Sequence, residues 1–138
     1  MGGNRGPRRG RRRLFTLAEA NALLPELVPI LESLRETKAR LVEARDALAQ
    51  LTPAMRSNGY GMAAVGLERR VGNLVATLTR GIERVASLGV ELKDVDQGLI
   101  DFPSRRDGRI VLLCWRLGEG ELAYWHEPDE GFAGRQPL

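Results

Sequence analysis

The sequence predicts an α+β protein: a long antiparallel helical hairpin of coiled-coil-like pattern, then a small antiparallel β-sheet, preceded by a disordered basic tail. Three observations predict it. An apolar seam repeats every seven residues from Ala20 to Leu51. A second apolar stripe at three- and four-residue steps runs from Leu67 to Leu88. After Gly89 the period shortens, and short β-branched and aromatic runs alternate with Gly-containing turns.

The first helix opens at Thr16. Thr16-Leu17-Ala18-Glu19 reads as a capping box, with Phe15 at the hydrophobic staple position before it. Ala20, Leu27, Leu34, Leu41 and Leu48 then fall seven apart, and Leu23, Ile30, Thr37, Ala44 and Leu51 lie three later. Such a seam predicts a helix lying along a partner, about 50 Å long over residues 17–51. Pro25 and Pro29 oppose it, each costing about 3 kcal/mol in a helix interior. The seam keeps its phase across both, which favours one kinked helix over two. Thr52 to Gly61 is the reversal. The second helix carries Leu67, Val71, Leu74, Leu78, Ile82, Val85 and Leu88, with Gly89 placed to stop it.

In the last third, Val90–Val95 and Leu99–Phe102 read as short strands, the latter closed by Pro103. Ser104 to Gly108 reads as a turn built on Asp107-Gly108, and Arg109–Leu117 as a central strand apolar on both faces. With Glu119-Gly120 as a two-residue loop, Leu117 pairs with Leu122, Trp115 with Tyr124 and Leu113 with His126. Cys114, Trp125 and Glu127 then share the other face. Phe132 pins a C-terminal tail. The domain division is therefore 1–13 as tail and 14–138 as one domain, with the hairpin over 14–89 and the sheet over 90–138.

Bulk composition limits the function classes. The 138 residues are 43% hydrophobic, enough for one core. Six of the 21 basic residues are Arg5, Arg8, Arg9, Arg11, Arg12 and Arg13, leaving 15 basic against 18 acidic side chains in the rest. The high isoelectric point thus belongs to the tail. Arg8, Arg9, Arg11, Arg12 and Arg13 are candidate polyanion contacts, and weak nucleic-acid binding through 1–13 is the partner expectation they carry. The alternating charges of Arg35, Glu36, Lys38, Arg40, Glu43, Arg45 and Asp46 describe a solvated helix face. No apolar run is long enough for a bilayer, no secretory signal follows the basic start, and Cys114 is the single cysteine; these point to a cytoplasmic protein without membrane contact. No phosphate-binding glycine loop is present.

Phe15-Thr16-Leu17, Glu19-Ala20-Asn21 and Leu23-Leu24-Pro25 resemble the opening of an uncharacterised prokaryotic family catalogued as domain of unknown function 2203. Gly98-Leu99-Ile100-Asp101-Phe102-Pro103, Leu113 to Glu119, Trp125-His126-Glu127 and Gly131 to Pro137 extend the resemblance across 14–138. It implies a stand-alone bacterial-type domain and carries no activity to transfer.

The chemistry-bearing residues gather late in the chain. Asp101, Arg116, Trp125, His126, Glu127 and Arg135 are the candidate ligand-binding set. Arg116, between apolar neighbours, is expected at an edge or paired with Asp101 or Glu127. One histidine and one cysteine cannot supply the four N or S ligands of a structural zinc site; a His-plus-carboxylate site, particularly one shared across a dimer, stays open, but no metal or cofactor is expected. Cys114, mid-strand, is expected to be core rather than a nucleophile. The function expected is a non-enzymatic binding or scaffolding module, acting through a homodimer or partner helix along residues 17–88. The alternative is a small-ligand or metal-dependent site around Trp125, His126 and Glu127, and the third a nucleic-acid accessory protein using its arginine tail.

Overall fold

The computed structural model describes residues 13–138. Helix α1 (Leu17–Ala49) and helix α2 (Gly61–Ser87) lie antiparallel, joined by a short helical turn at Pro53–Met55 and a wound segment at Arg56–Tyr60. A five-stranded antiparallel meander follows: β1 (Glu91–Asp94), β2 (Leu99–Arg106), β3 (Arg109–Arg116), β4 (Tyr124–His126) and β5 (Gln136–Pro137), paired in chain order. The two long helices and the antiparallel sheet are the α+β arrangement the sequence predicts.

The capping box at Thr16 forms as expected: Thr16 Oγ1 accepts from the Glu19 amide at 3.1 Å, and Glu19 Oε1 accepts from the Thr16 amide at 2.9 Å. The helix then runs through Pro25 and Pro29 without a break. Both prolines lie on the exposed side, so water can reach the carbonyls they leave without an intrahelical partner. The seam is only partly the expected one. Ala20, Leu27, Leu34 and Leu41 are buried, but Leu24 and Leu31 replace Leu23 and Ile30 beside them. The first half of α1 faces the sheet as well as α2, and two partners require a wider stripe than a coiled-coil seam. Leu24, Leu27, Leu31 and Leu34 share one core with Val85, Ile100, Phe102, Val111, Leu113 and Trp115.

Gly89 ends α2 in the left-handed region at φ 83°, with its amide bonded to the Ala86 carbonyl. Arg13, expected in the tail, is instead part of the fold: its guanidinium donates to the Leu88 carbonyl at 3.1 Å and lies 4.3 Å from the Phe15 ring centroid. A cation there complements the C-terminal end of α2. Arg8, Arg9, Arg11 and Arg12 lie outside the described residues.

Three strand expectations are corrected. Pro103 does not close β2, which continues to Arg106. The Pro103 carbonyl accepts from the Phe15 amide at 2.7 Å, past the end of β1, so the proline's missing N–H also faces that edge and no β2–β3 bond is lost. The turn shrinks to Asp107-Gly108, both at positive φ (52° and 77°), the type I′ geometry this dipeptide favours. The β3–β4 register is one residue from the expected one: Leu112 pairs with His126, Leu113 with Trp125 and Cys114 with Tyr124. The connection is not a two-residue hairpin. Residues 117–123 form a longer loop, whose Leu122 amide is held by Asn21 Oδ1 at 2.8 Å. A one-residue change exchanges the faces, so His126 joins Cys114, while Trp125 turns into the core.

Gly98 sits at φ 59°, and a Cβ there would stand 2.6 Å from Leu117 Cβ. Gly98→Ala is therefore expected to destabilise the fold by about 2 kcal/mol, from left-handed backbone strain plus the clash. A lower urea midpoint at unchanged slope checks this; an unchanged midpoint contradicts it.

Candidate functional site

The face of the sheet turned away from the helices carries Asp101 on β2, Cys114 on β3 and His126 on β4. They become neighbours because Asp101 pairs with Cys114 and His126 sits one strand further, beside Leu112. The chain from Pro128 to Phe132 lies beside them and lines with them a partly open cavity of about 310 Å³. All three are almost completely buried, at 1%, 1% and 2% exposure.

The hydrogen bonds fix the imidazole. His126 Nδ1 lies 2.8 Å from the Glu127 carbonyl oxygen, which can only accept, so Nδ1 carries the hydrogen. Nε2 lies 3.0 Å from Asp101 Oδ2. A neutral ring then turns a lone pair towards a carboxylate oxygen, and a proton or another cation must lie between the two acceptors. Burial pushes the Asp101 carboxyl above its ordinary range, against the pull of His126 and Cys114. Its other oxygen, Oδ1, is buried and accepts no hydrogen bond. The Cys114 thiol lies beside the same carboxyl group, its sulfur within 4.8 Å of a carboxylate oxygen. Burial, reinforced by Asp101, pushes that thiol up to about 12. Both ring nitrogens of His126 are engaged elsewhere, so none is left to take the Cys114 proton. The trio is not a nucleophilic Cys–His pair.

The other expected site residues separate. Trp125 faces the helices and stacks with Arg106, whose guanidinium is 4.8 Å from the ring centroid. Glu127 pairs with Arg109, outside the cavity. Arg116 pairs with neither Asp101 nor Glu127; it lies 5.1 Å from the Phe132 ring centroid. Arg135 is clamped between Tyr124 and Phe132, 4.0 and 4.5 Å from their centroids, and donates to Glu119 at 2.7 and 2.9 Å. Of the six, then, Asp101 and His126 meet around one point, and Arg116 and Arg135 meet separately over the Phe132 ring. The third member beside Asp101 and His126 is Cys114, which the sequence places in the core. The alternation of β2 and β3 could have found it, since Asp101 and Cys114 follow from the Asp107-Gly108 turn by counting; the misplaced β4 register hid His126.

A family model described as "Uncharacterized conserved protein (DUF2203)" matches residues 13–138. The chain belongs to this family. No curated protein and no solved structure matches it. Among the described residues, no helix is long and apolar enough to cross a membrane.

The C-terminal segment Gly131 to Pro137 is tied to the sheet through Arg135. Burial raises the Glu119 carboxyl, but the Arg135 hydrogen bond and the Arg116 amide outweigh it, and the group is held below its ordinary range. A depressed carboxylate stabilises the fold above its unfolded pKa and loses that contribution as pH falls through the folded value. Glu119→Gln is therefore expected to lower stability by about 1–2 kcal/mol at pH 7, with the difference from the parent closing below about pH 4. Urea unfolding across pH reads it; a pH-independent difference contradicts it.

Proposed function

We propose that this protein is a binding module that associates through its helical hairpin with a second copy of itself. One observation carries the reading: α2 leaves its apolar stripe incompletely buried and carries exposed apolar residues beside it. Only Ala64 and Val85 of its 27 residues are buried, against eight of 33 in α1. Leu67, Val71, Leu74 and Leu78 face α1 yet remain half-covered, and Val65, Val75 and Ile82 beside them are exposed at 45%, 37% and 39%. On a helical projection the apolar arc spans about half the circumference, more than one neighbouring helix can cover.

The position of the sheet explains the deficit. The shared core takes α1 residues only as far as Leu34, with Val85 and partly buried Leu78 and Leu88 from α2. Past those points the hairpin projects from the sheet, with Val42 also exposed at 50%. Gly72, within the projecting part, has open space around it and costs about 1 kcal/mol of helix propensity without a contact among the described residues that uses it. Two projecting hairpins packed face to face make a four-helix arrangement, the usual way for such stripes to be covered. The face is roughly 25 by 20 Å, on the order of 500 Å² per chain, which places the association at the small, weak end of specific interfaces.

Sedimentation of the full chain over a wide concentration range is expected to show a reversible monomer–dimer equilibrium. Val65→Glu combined with Val75→Glu is expected to weaken it by roughly 100-fold, because both charges would enter an apolar contact. The helical circular dichroism should be unchanged, both positions being exposed in the single chain. A parent that stays monomeric at the highest concentration, or a variant that dimerises equally well, overturns the proposal.

A further inference from the structure

We infer that Asp101, Cys114 and His126 form a binding site for one divalent transition-metal ion of the zinc class. Each residue offers one ligand atom, and those three atoms lie within 4.8 Å of one another. Bond lengths of about 2.0–2.3 Å at tetrahedral angles put ligand atoms roughly 3.5 Å apart. The 3.0 Å separation of His126 Nε2 and Asp101 Oδ2 is already at that scale, so small side-chain rotations bring the sulfur in.

Other features of the site point the same way. Asp101 is 1% exposed, and its Oδ1 is buried without a hydrogen-bond partner, an acceptor held where water does not solvate it. The Glu127 carbonyl holds the hydrogen on Nδ1 of His126, which turns the Nε2 lone pair towards Asp101 Oδ2. This is how a metal-bound imidazole is oriented by its outer partner. The ligands come from three adjacent strands, so sheet pairing rather than a flexible loop sets their spacing. Thiolate, imidazole and carboxylate together favour zinc or cobalt over magnesium or calcium. The cavity beside them, under Pro128 and Phe132, has room for a water molecule as fourth ligand. Binding balances in protons: the ion replaces the thiol hydrogen of Cys114 and any proton shared by Asp101 and His126, and these leave to solvent.

The test uses the full, untagged chain treated with a chelator and titrated with cobalt(II). The expected result is one ion per chain, with a near-ultraviolet thiolate-to-cobalt charge-transfer band that zinc abolishes by displacing cobalt. Cys114→Ser should lose the band, and His126→Gln should bind zinc about 100-fold more weakly or worse. Zinc should also slow labelling of Cys114 by a thiol reagent in mild denaturant. Because Cys114 is the single thiol in the chain, the parent alone decides if a variant fails to fold: a titration without the charge-transfer band overturns the inference. Folded variants that bind zinc as tightly as the parent overturn it equally, by moving the ion to surface carboxylates.

Discussion

The architecture depends on the two-faced pairing of β2 with β3. Ile100 and Phe102 on one strand, and Val111, Leu113 and Trp115 on the other, must all point at α1. The Asp107-Gly108 turn sets the register that puts them there. A one-residue slip of β3 against β2 would turn its three large apolar side chains to the other face at about 2 kcal/mol each, on the order of 6 kcal/mol. That is comparable to the whole stability of a small domain, so the register is strongly specified. The opposite face of the pair is then fixed too: whatever stands at 101 and 114 is held side by side, and the β3–β4 register adds 126 to the row.

The segment before α1 closes the same sheet from its open edge. β1 is short and leaves β2 unpaired beyond Asp101. Phe15 fills the gap with its amide on Pro103 and its carbonyl on the Ser104 hydroxyl at 2.6 Å, while its ring meets Phe102 edge-on at 5.2 Å. An exposed strand edge is thereby covered, and the start of α1 is placed over the core. Phe15, Pro103 and Ser104 are distant in sequence but act as one joint. The Phe15-Thr16-Leu17 opening therefore serves the sheet as much as the helix.

These couplings decide what could be read from the chain and what could not. The capping box, the long helices, the Gly89 stop and the Asp107-Gly108 turn are local chemistry, legible in a few residues. Pro103 is not legible as a mid-strand residue because whether a proline ends a strand depends on which way its nitrogen faces, and here that edge is met by Phe15. The β3–β4 register was misread because Glu119-Gly120 looks like a hairpin loop. Glu119 is in fact held by Arg135 and by the Arg116 amide, and the loop runs on to Ala123. The site followed the register. Asp101 and His126 stood out as polar residues in apolar surroundings, whereas Cys114 resembled core and joins them only once the faces are correctly assigned.

Packing alone does not account for that trio. A buried Asp–His pair gives up hydration on both groups, and here the carboxylate recovers one hydrogen bond while Oδ1 recovers none. Apolar residues of similar volume in such places are commonly neutral or stabilising by about 1–4 kcal/mol. The opposite face shows that this sheet packs well with apolar side chains. Cys114 contributes little more than a small apolar group unless its proton leaves, and burial opposes that loss. A divalent ion changes all three terms at once: it replaces the thiol proton, ligates the carboxylate and uses the imidazole lone pair already aimed at it. The arrangement is costly as a piece of core and economical as a set of ligands, and the same strand pairing that forbids it to relax would hold it ready for the ion.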